Sequence, residues 1–319
     1  MLTLPDFKEK QIIFAMLRSG EKLSFKNDNV IIKNKEGQIK HQSTCYRLFA
    51  LFIAGHTTLT SGLVARAEKF GFSIVLMNHS LRVYQVLSSP AEGNVLLRKK
   101  QYSYNGLELA KQIVENKISN QISAIKTIRS ADEKKQKTVQ DLKELKEQIK
   151  TTSENQSLLG IEGAAARSYF SAVFSHIEWK ARRPRVKQDP ANCLLDIGYT
   201  YLFNVIEGML CLYGFDLYQG VYHKQFYQRK SLVCDLVEPF RPIIDLRIRK
   251  AFSLGQVKID DFTVRNYQYR IFGKAAVPYS LWLIETVLGR KEEMFKYVQS
   301  YYRAFMRDKK AEEFPTFEL

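Results

Sequence analysis

The chain has 319 residues, 45% of them hydrophobic, enough to bury a core in one large domain or two ordinary ones. Its 49 lysines and arginines against 33 aspartates and glutamates give a formal charge of +16, which points to a polyanionic partner, nucleic acid above all, over plain solubility by self-repulsion. Four scattered cysteines without a CxxC argue against a zinc site or a disulfide framework, and no apolar run approaches the ~18 residues of a membrane span.

The opening MLTLPDFKEK lacks a basic segment followed by an apolar one, so no signal peptide and a cytoplasmic location are expected. The first ninety residues read as mostly β. EKLSFKNDNVIIKNKEGQIKHQS holds three short extended runs, with turn signals at Asn27-Asp28-Asn29 and Asn34–Gly37. TSGLVARAEKFG reads as a short helix ending at Gly71; FSIVLMN is a buried strand and LRVYQVLS another extended run. Pro90 and Gly93 mark a connector.

From there the pattern is helical. Residues 107–150 carry apolar side chains at three- and four-residue intervals, and ADEKKQKTVQDLKELKEQIK reads as a solvated amphipathic helix. SLLGIEGAAARSYFSAVFSHIEW packs small residues around one acid. RRPRVKQDPANCLLDIGYTYLFNVIEGMLCLYG gives a basic loop and a long, largely apolar helix, with Asp189 at the N-cap, Pro190 at the first position and Gly214 at the stop. The last third is largely helical from Ser231, and Pro315 argues against a helix in the tail DKKAEEFPTFEL. The expectation is an α+β chain: a small β-rich domain over residues 1–90, then a larger all-α domain over 91–319.

Phosphodiester chemistry needs an oxygen nucleophile in line with the leaving oxygen, and stabilisation of charge at phosphorus. Divalent metals do both, and carboxylates hold them. Three stretches supply such ligands. Glu162 sits among Gly160, Gly163 and Ala164–Ala166, which leave room for a ligand to approach. His223 in GVYH precedes Asp235 and Glu238 in SLVCDLVEPF, two acids that share a face if helical, although Pro239 must kink or end that helix. From the residues alone, Glu162 reads sooner as a buried ion-pair partner than as a ligand, and Asp235 and Glu238 read as partners of Arg241 or a nearby basic residue.

LLGIEGAAARSYF, then DPANCLLDIGYTYLFNVIE, then GFDLYQGVYHKQFYQRKSLVCDLVEPFRPIID, in this order, resemble the CRISPR-associated endonuclease, the integrase subunit of the spacer-acquisition complex. The likeness is specific over residues 157–245 and diffuse in the β-rich part. It implies a β domain serving dimerisation and an all-helical catalytic domain. It implies Glu162, His223 and Asp235 as metal ligands and catalytic residues, Glu238 as an auxiliary acid at the metal, and Mg2+ or Mn2+ as the ion. Val221-Tyr222 stand where the family has Phe-Leu or similar, a departure expected to leave the ligands untouched. The implied reaction is attack by the 3′-OH of a short double-stranded DNA fragment on a phosphodiester of the CRISPR repeat, with no nucleotide cofactor. The implied partners are a second copy in a homodimer and a small ferredoxin-like protein bridging two dimers, with the tail near Phe314–Leu319 a candidate for docking it. Arg182, Arg183, Arg185 and Lys187, with Lys224, Arg229 and Lys230 around His223, become candidates for phosphate contacts, and Tyr222, Phe226 and Tyr227 for base stacking. Two other readings stay open on the residues: a metal-dependent nuclease of branched DNA, and a non-catalytic basic scaffold.

Overall fold

The computed structural model describes residues 11–87, 91, 93–129 and 133–319. The opening MLTLPDFKEK, Pro90 and the first two residues of the ADEKKQ run (131–132) lie outside them. The chain divides into two compact units, Met1–Arg98 with Glu207–Phe215, and Lys99–Ile206 with Asp216–Leu319.

The first unit holds two sheets. Strands β1 (Gln11–Met16), β5 (Leu48–Ala54), β6 (Ser73–Met77) and β7 (Val83–Leu87) lie side by side in that order, the first three parallel and the last antiparallel. Helix α1 (Ser61–Phe70) is the crossover between the parallel neighbours β5 and β6, and it stops where Gly71 turns left-handed at φ 66°. Strand β5, LFALFIA, is buried at every position, as a central parallel strand covered on both faces requires. Strands β2 (Lys22–Lys26), β3 (Asn29–Lys33) and β4 (Ile39–Thr44) form an antiparallel meander. Its first turn is the two-residue Asn27-Asp28, with φ 48° and 55°, residue types that tolerate such backbone. Val30 and Ile32 meet Leu51, Ile53, Ile74, Leu63 and Ala67 in one core. The expected runs at 22–44, 61–71 and 73–87 are therefore found; β1 and β5 add to them.

After α2 (Val95–Ser103), the second unit is helical: α3 (Glu108–Thr127), α4 (Glu133–Thr151), α5 (Asn155–Val173), α6 (Pro190–Cys211), α7 (Ser231–Val237), α8 (Arg241–Ser253), α9 (Gly273–Gly289) and α10 (Lys291–Met306). One small hairpin, β8 (Thr263–Arg265) with β9 (Gln268–Arg270), interrupts it. Helix α3 is buried on nearly every face, polar Asn116, Lys117, Asn120 and Gln121 included. Helix α4 buries only Thr138, Leu142 and Ile149, the amphipathic pattern its charges imply. Asp189 caps α6 by accepting the Asn192 N–H at 2.6 Å. Pro239 ends α7 in a tight turn over Glu238–Phe240 before α8 begins. Glu238 keeps helical backbone (φ −56°, ψ −45°) despite the proline after it, and the Asn120 amide takes the Pro239 carbonyl at 2.9 Å.

The tail folds back on its own unit. Asn116 and Asn120 each donate to the Phe317 carbonyl, at 2.8 and 2.9 Å, and Asn116 accepts the Phe317 N–H at 2.9 Å. Phe314 and Phe317 are buried against Tyr301 and Phe240. Those side chains are occupied by the chain itself. All four cysteines are free, and among the described residues no helix is long and apolar enough to cross a membrane.

Candidate active site

Four elements of the second unit meet through one buried lysine. Glu162, on α5, ion-pairs through Oε1 with Lys117 Nζ, reaching in from α3. The same ammonium lies 2.6 Å from Oε2 of Glu238, on the turn after α7. Arg241, at the start of α8, holds Glu238 Oε1 at 2.9 Å. Burial pushes the Glu162 carboxyl up, but the Lys117 charge and hydrogen bond, the Tyr222 hydroxyl and the nearby His223 outweigh it and leave a pKa of about 2. Burial likewise opposes the Lys117 charge, yet Glu162 and Glu238 hold the ammonium above its ordinary value.

The segment before α7 adds the imidazole. Asp235 is fully buried and folds this segment around its carboxylate. Oδ2 accepts the N–H groups of Val221 at 2.7 Å and Tyr222 at 3.1 Å; Oδ1 accepts that of His223 at 2.9 Å and lies 2.7 Å from His223 Nδ1. Gly220 is required there, because a Cβ would stand 2.6 Å from Asp235 Oδ2. A carboxylate against Nδ1 fixes the proton on that nitrogen and leaves the lone pair of Nε2 for a ligand, the arrangement by which second-layer acids orient metal-binding histidines.

Glu162, His223, Asp235 and Glu238 thus belong to one network. Asp235, expected as a ligand, has four contacts on its two oxygens, one of them to the His223 ring. Glu238, expected as auxiliary, offers the freer oxygen: Oε2 is buried and, apart from the ion contact with Lys117, accepts no hydrogen bond. Tyr222 does touch one of the expected ligands, since its hydroxyl donates to Glu162 Oε2. Among the described residues, no three His, Cys, Asp or Glu side chains stand as a closed ligand set. A cation already sits between two of the carboxylates, and it is the lysine. In donor type, the carboxylate oxygens of Glu162 and Glu238 and the imidazole nitrogen of His223 suit Mg2+ or Mn2+.

The basic candidates separate by exposure. Arg182 is committed inward, with Nη2 on Asp196 at 2.6 Å and Nη1 on Asn192 at 2.9 Å, and does not face a phosphate. Arg183, Arg185 and Lys224 are exposed, while Lys187, Arg229 and Lys230 are partly covered. Phe226 and Tyr227, 74% and 84% exposed, are not core residues, whereas Tyr222 is buried. Lys117 escaped the sequence reading, although a lysine inside the apolar periodicity of IVENKISNQISAI was a visible signal. Tyr199 escaped it too. Its ring carries Arg241 at 4.5 Å and Arg182 at 5.4 Å, and its hydroxyl donates to buried Asp245.

The model of the family described as CRISPR associated protein Cas1 matches residues 15–276. A CRISPR-associated endonuclease Cas1 of Thermodesulfovibrio yellowstonii is 32% identical over 223 residues, covering 66% of this chain and 70% of that protein. Another, of Archaeoglobus fulgidus, is 27% identical over 276 residues, 77% and 80% of the two chains. Among solved structures, a chain of a partial Cas6-RT-Cas1–Cas2 complex is similar with a TM-score of 0.82 at 23% identity, over 96% of this chain and 98% of that one. A casposase bound to integration product is similar with a TM-score of 0.70 at 18% identity, over 98% and 100%. At those identities the structures speak for the fold, a strand-rich unit followed by a helical one. The family match takes in Glu162, His223, Asp235 and Glu238 together, and by it the chain belongs to the CRISPR associated protein Cas1 family.

Proposed function

We propose that this chain is a divalent-metal-dependent DNA endonuclease and integrase, which inserts short DNA fragments into a CRISPR array by 3′-OH attack on a phosphodiester of the repeat. The observation that carries the reading is the pair Glu162 and Glu238, drawn together on one buried cation, with His223, oriented by Asp235, near enough to Glu162 to lower its carboxyl pKa. Glu162, Glu238 and the Nε2 of His223 would hold Mg2+ or Mn2+. When bound, such an ion stabilises charge on phosphate oxygens and lowers the pKa of an attacking hydroxyl.

The chain's own residues do the rest. Asp235 keeps the His223 proton on Nδ1 and fixes the loop that presents the ring. Arg241 neutralises one oxygen of Glu238, and Tyr222 holds one oxygen of Glu162. Exposed Lys224, next to His223, is placed to meet a backbone phosphate. One phosphodiester replaces another, so no nucleotide is consumed.

The partners proposed are donor DNA and repeat DNA, a second copy of the chain, and a small ferredoxin-like protein. The names of two neighbours support DNA and a further protein partner, since one is a partial Cas6-RT-Cas1–Cas2 complex and another a casposase bound to integration product.

The test is joining by the purified full chain of a labelled duplex with 3′-OH ends to a plasmid bearing the repeat, in Mg2+ and in Mn2+, with and without the small partner. Covalent joining that needs the 3′-OH and is lost in Glu162→Gln is expected. Cutting of branched DNA without any joining would replace the integrase reading by that of a nuclease.

A further inference from the structure

The β8–β9 hairpin has no part in the site above, yet it is built in an unusual way. Its two-residue turn is Asn266-Tyr267, with φ 52° and 58°. Such turns demand left-handed backbone at both positions; asparagine accepts this readily and tyrosine does not. Tyr267 is 95% exposed, so its ring returns nothing to the fold through burial. The hairpin is seated on the loop before α6: the Tyr269 N–H donates to the Lys187 carbonyl at 2.9 Å. In that loop Arg185 and Lys187 are themselves left-handed, at φ 67° and 51°. Four of the nine non-glycine residues with positive φ among the described residues therefore fall in this one assembly. Strained backbone of this kind gathers where a surface serves a ligand.

The charge has one sign. Residues 180–187 carry Lys180, Arg182, Arg183, Arg185 and Lys187, residues 263–274 carry Arg265, Arg270 and Lys274, and neither segment contains an acid. Of the flanking acids, Asp189 caps α6, Asp196 holds Arg182 and Asp261 accepts the Tyr279 hydroxyl at 2.6 Å; Glu178 and Asp260 are exposed. The exposed guanidinium residues of the assembly are Arg183, Arg185 and Arg265. An exposed aromatic ring among phosphate-seeking cations is the combination that binds unpaired nucleic acid, where each base offers a face to stack. A duplex without unpaired bases would use the cations alone.

The assembly is tied to the carboxylates. Arg182, in the same loop, lies over the ring of Tyr199, and Arg241, which holds Glu238, lies over the same ring. One aromatic side chain links the loop's anchor to the acid cluster.

We propose that the hairpin and the 183–187 loop form a platform for an unpaired DNA strand, with Tyr267 stacking on a base and Arg183, Arg185 and Arg265 on its phosphates. The proposal takes the identity of its ligand from the reading of the chain as a DNA-joining enzyme. Its geometry is independent of the metal.

The experiment measures binding of the full chain by fluorescence anisotropy in EDTA. The probes are a blunt duplex, the same duplex with a single-stranded 3′ overhang, and oligothymidylate. Joining activity is read separately in Mn2+, so loss of the platform and loss of the enzyme reading are told apart. Tyr267→Ala is expected to weaken the overhang and oligothymidylate probes by about tenfold and to leave the blunt duplex unchanged. Tyr267→Trp is expected to restore both. Arg183→Ala/Arg185→Ala is expected to weaken every probe and to lower the salt slope on oligothymidylate by about 1.4. These side chains are exposed, so thermal unfolding of the variants should match the parent. Unchanged overhang binding by Tyr267→Ala overturns the stacking role, as does an equal loss on the blunt duplex. An unchanged salt slope in the double arginine variant overturns the phosphate role.

Discussion

Lys117 Nζ stands 2.6 Å from Glu238 Oε2 while the same ammonium holds Glu162. Two acids drawn from segments far apart in the chain are thus spaced by a cation the chain supplies itself. A divalent ion binding to both must contend with that ammonium. Lys117→Met keeps the stem and removes the charge. It is expected to destabilise the metal-free chain by about 3–5 kcal/mol, the usual cost of leaving buried charges unpaired. The same change should tighten Mn2+ binding by roughly tenfold, because the competitor is gone and each 1.4 kcal/mol is tenfold. Titration of free Mn2+ by electron paramagnetic resonance, beside thermal unfolding without metal, checks both parts. Weaker Mn2+ binding by the variant would mean that the lysine assists the ion instead of competing with it.

Asp235 and Glu238 should respond differently to loss of charge. Glu238→Gln removes an oxygen proposed to bind metal, and should abolish Mn2+ binding while the chain stays folded. Asp235→Asn leaves the proposed ligands in place but gives up part of the hold on the His223 loop, and should weaken Mn2+ by about 10–100-fold without abolishing it. Asp235→Ala frees three backbone N–H groups and the ring of His223 and should unfold the loop outright. Calorimetry of Mn2+ binding to the first two variants separates them. Equal loss in both would return Asp235 to the ligand set.

What the sequence showed and what it hid follow from range. The Asn27-Asp28 turn, the Gly71 stop and the Asp189 cap are local chemistry, decided within four residues, and each stands where the sequence puts it. Strand β5 is a continuous apolar run, which has no period to tell a strand from a buried helix. The β8–β9 hairpin turns on Asn-Tyr, not Asn-Gly, and gives no turn signal. Glu162, His223, Asp235 and Glu238 are singled out by their motifs, and the fold gathers them in one network. The partnership of Lys117 with Glu162 was not legible, because 45 residues separate them. Nor can a sequence show that Asp235 spends its oxygens on backbone N–H groups.

The tail makes a second brace for Glu238. Phe317 is buried with its ring 4.4 Å from that of Phe240, and Asn120 donates both to the Phe317 carbonyl and to that of Pro239, beside Glu238. Phe317→Ala should therefore cost about 3–5 kcal/mol, as for other buried phenylalanines. If the brace positions Glu238, Mn2+ affinity should fall as well. Removing residues 317–319 should do the same. Chemical denaturation measures the first effect and Mn2+ titration at a temperature where the variant is folded measures the second. A full loss of stability with unchanged Mn2+ affinity would limit the tail to packing.

Asp245 sets the pH response of the helical unit. It is buried, with Tyr169 donating to Oδ2 at 3.1 Å and Tyr199 donating to Oδ1. Burial pushes its carboxyl up; the two tyrosines and the charges of Arg241 and Arg182 pull it down; burial prevails and leaves it at about 6 against an ordinary 3.8. The folded chain therefore holds a proton on Asp245 that the unfolded chain has released between these two values. Its contribution to stability is fully present below pH 3.8 and is lost as pH rises through 6. At 1.36 kcal/mol per pH unit the gap corresponds to about 3 kcal/mol. Asparagine cannot ionise, and its amide can still meet both tyrosine hydroxyls. The stability of Asp245→Asn relative to the parent should therefore rise with pH across about pH 4 to 7, by up to about 3 kcal/mol. Urea unfolding of both proteins across that range checks it. A constant difference would mean that Asp245 is ionised throughout, held by Arg241 and Arg182 more strongly than burial opposes it.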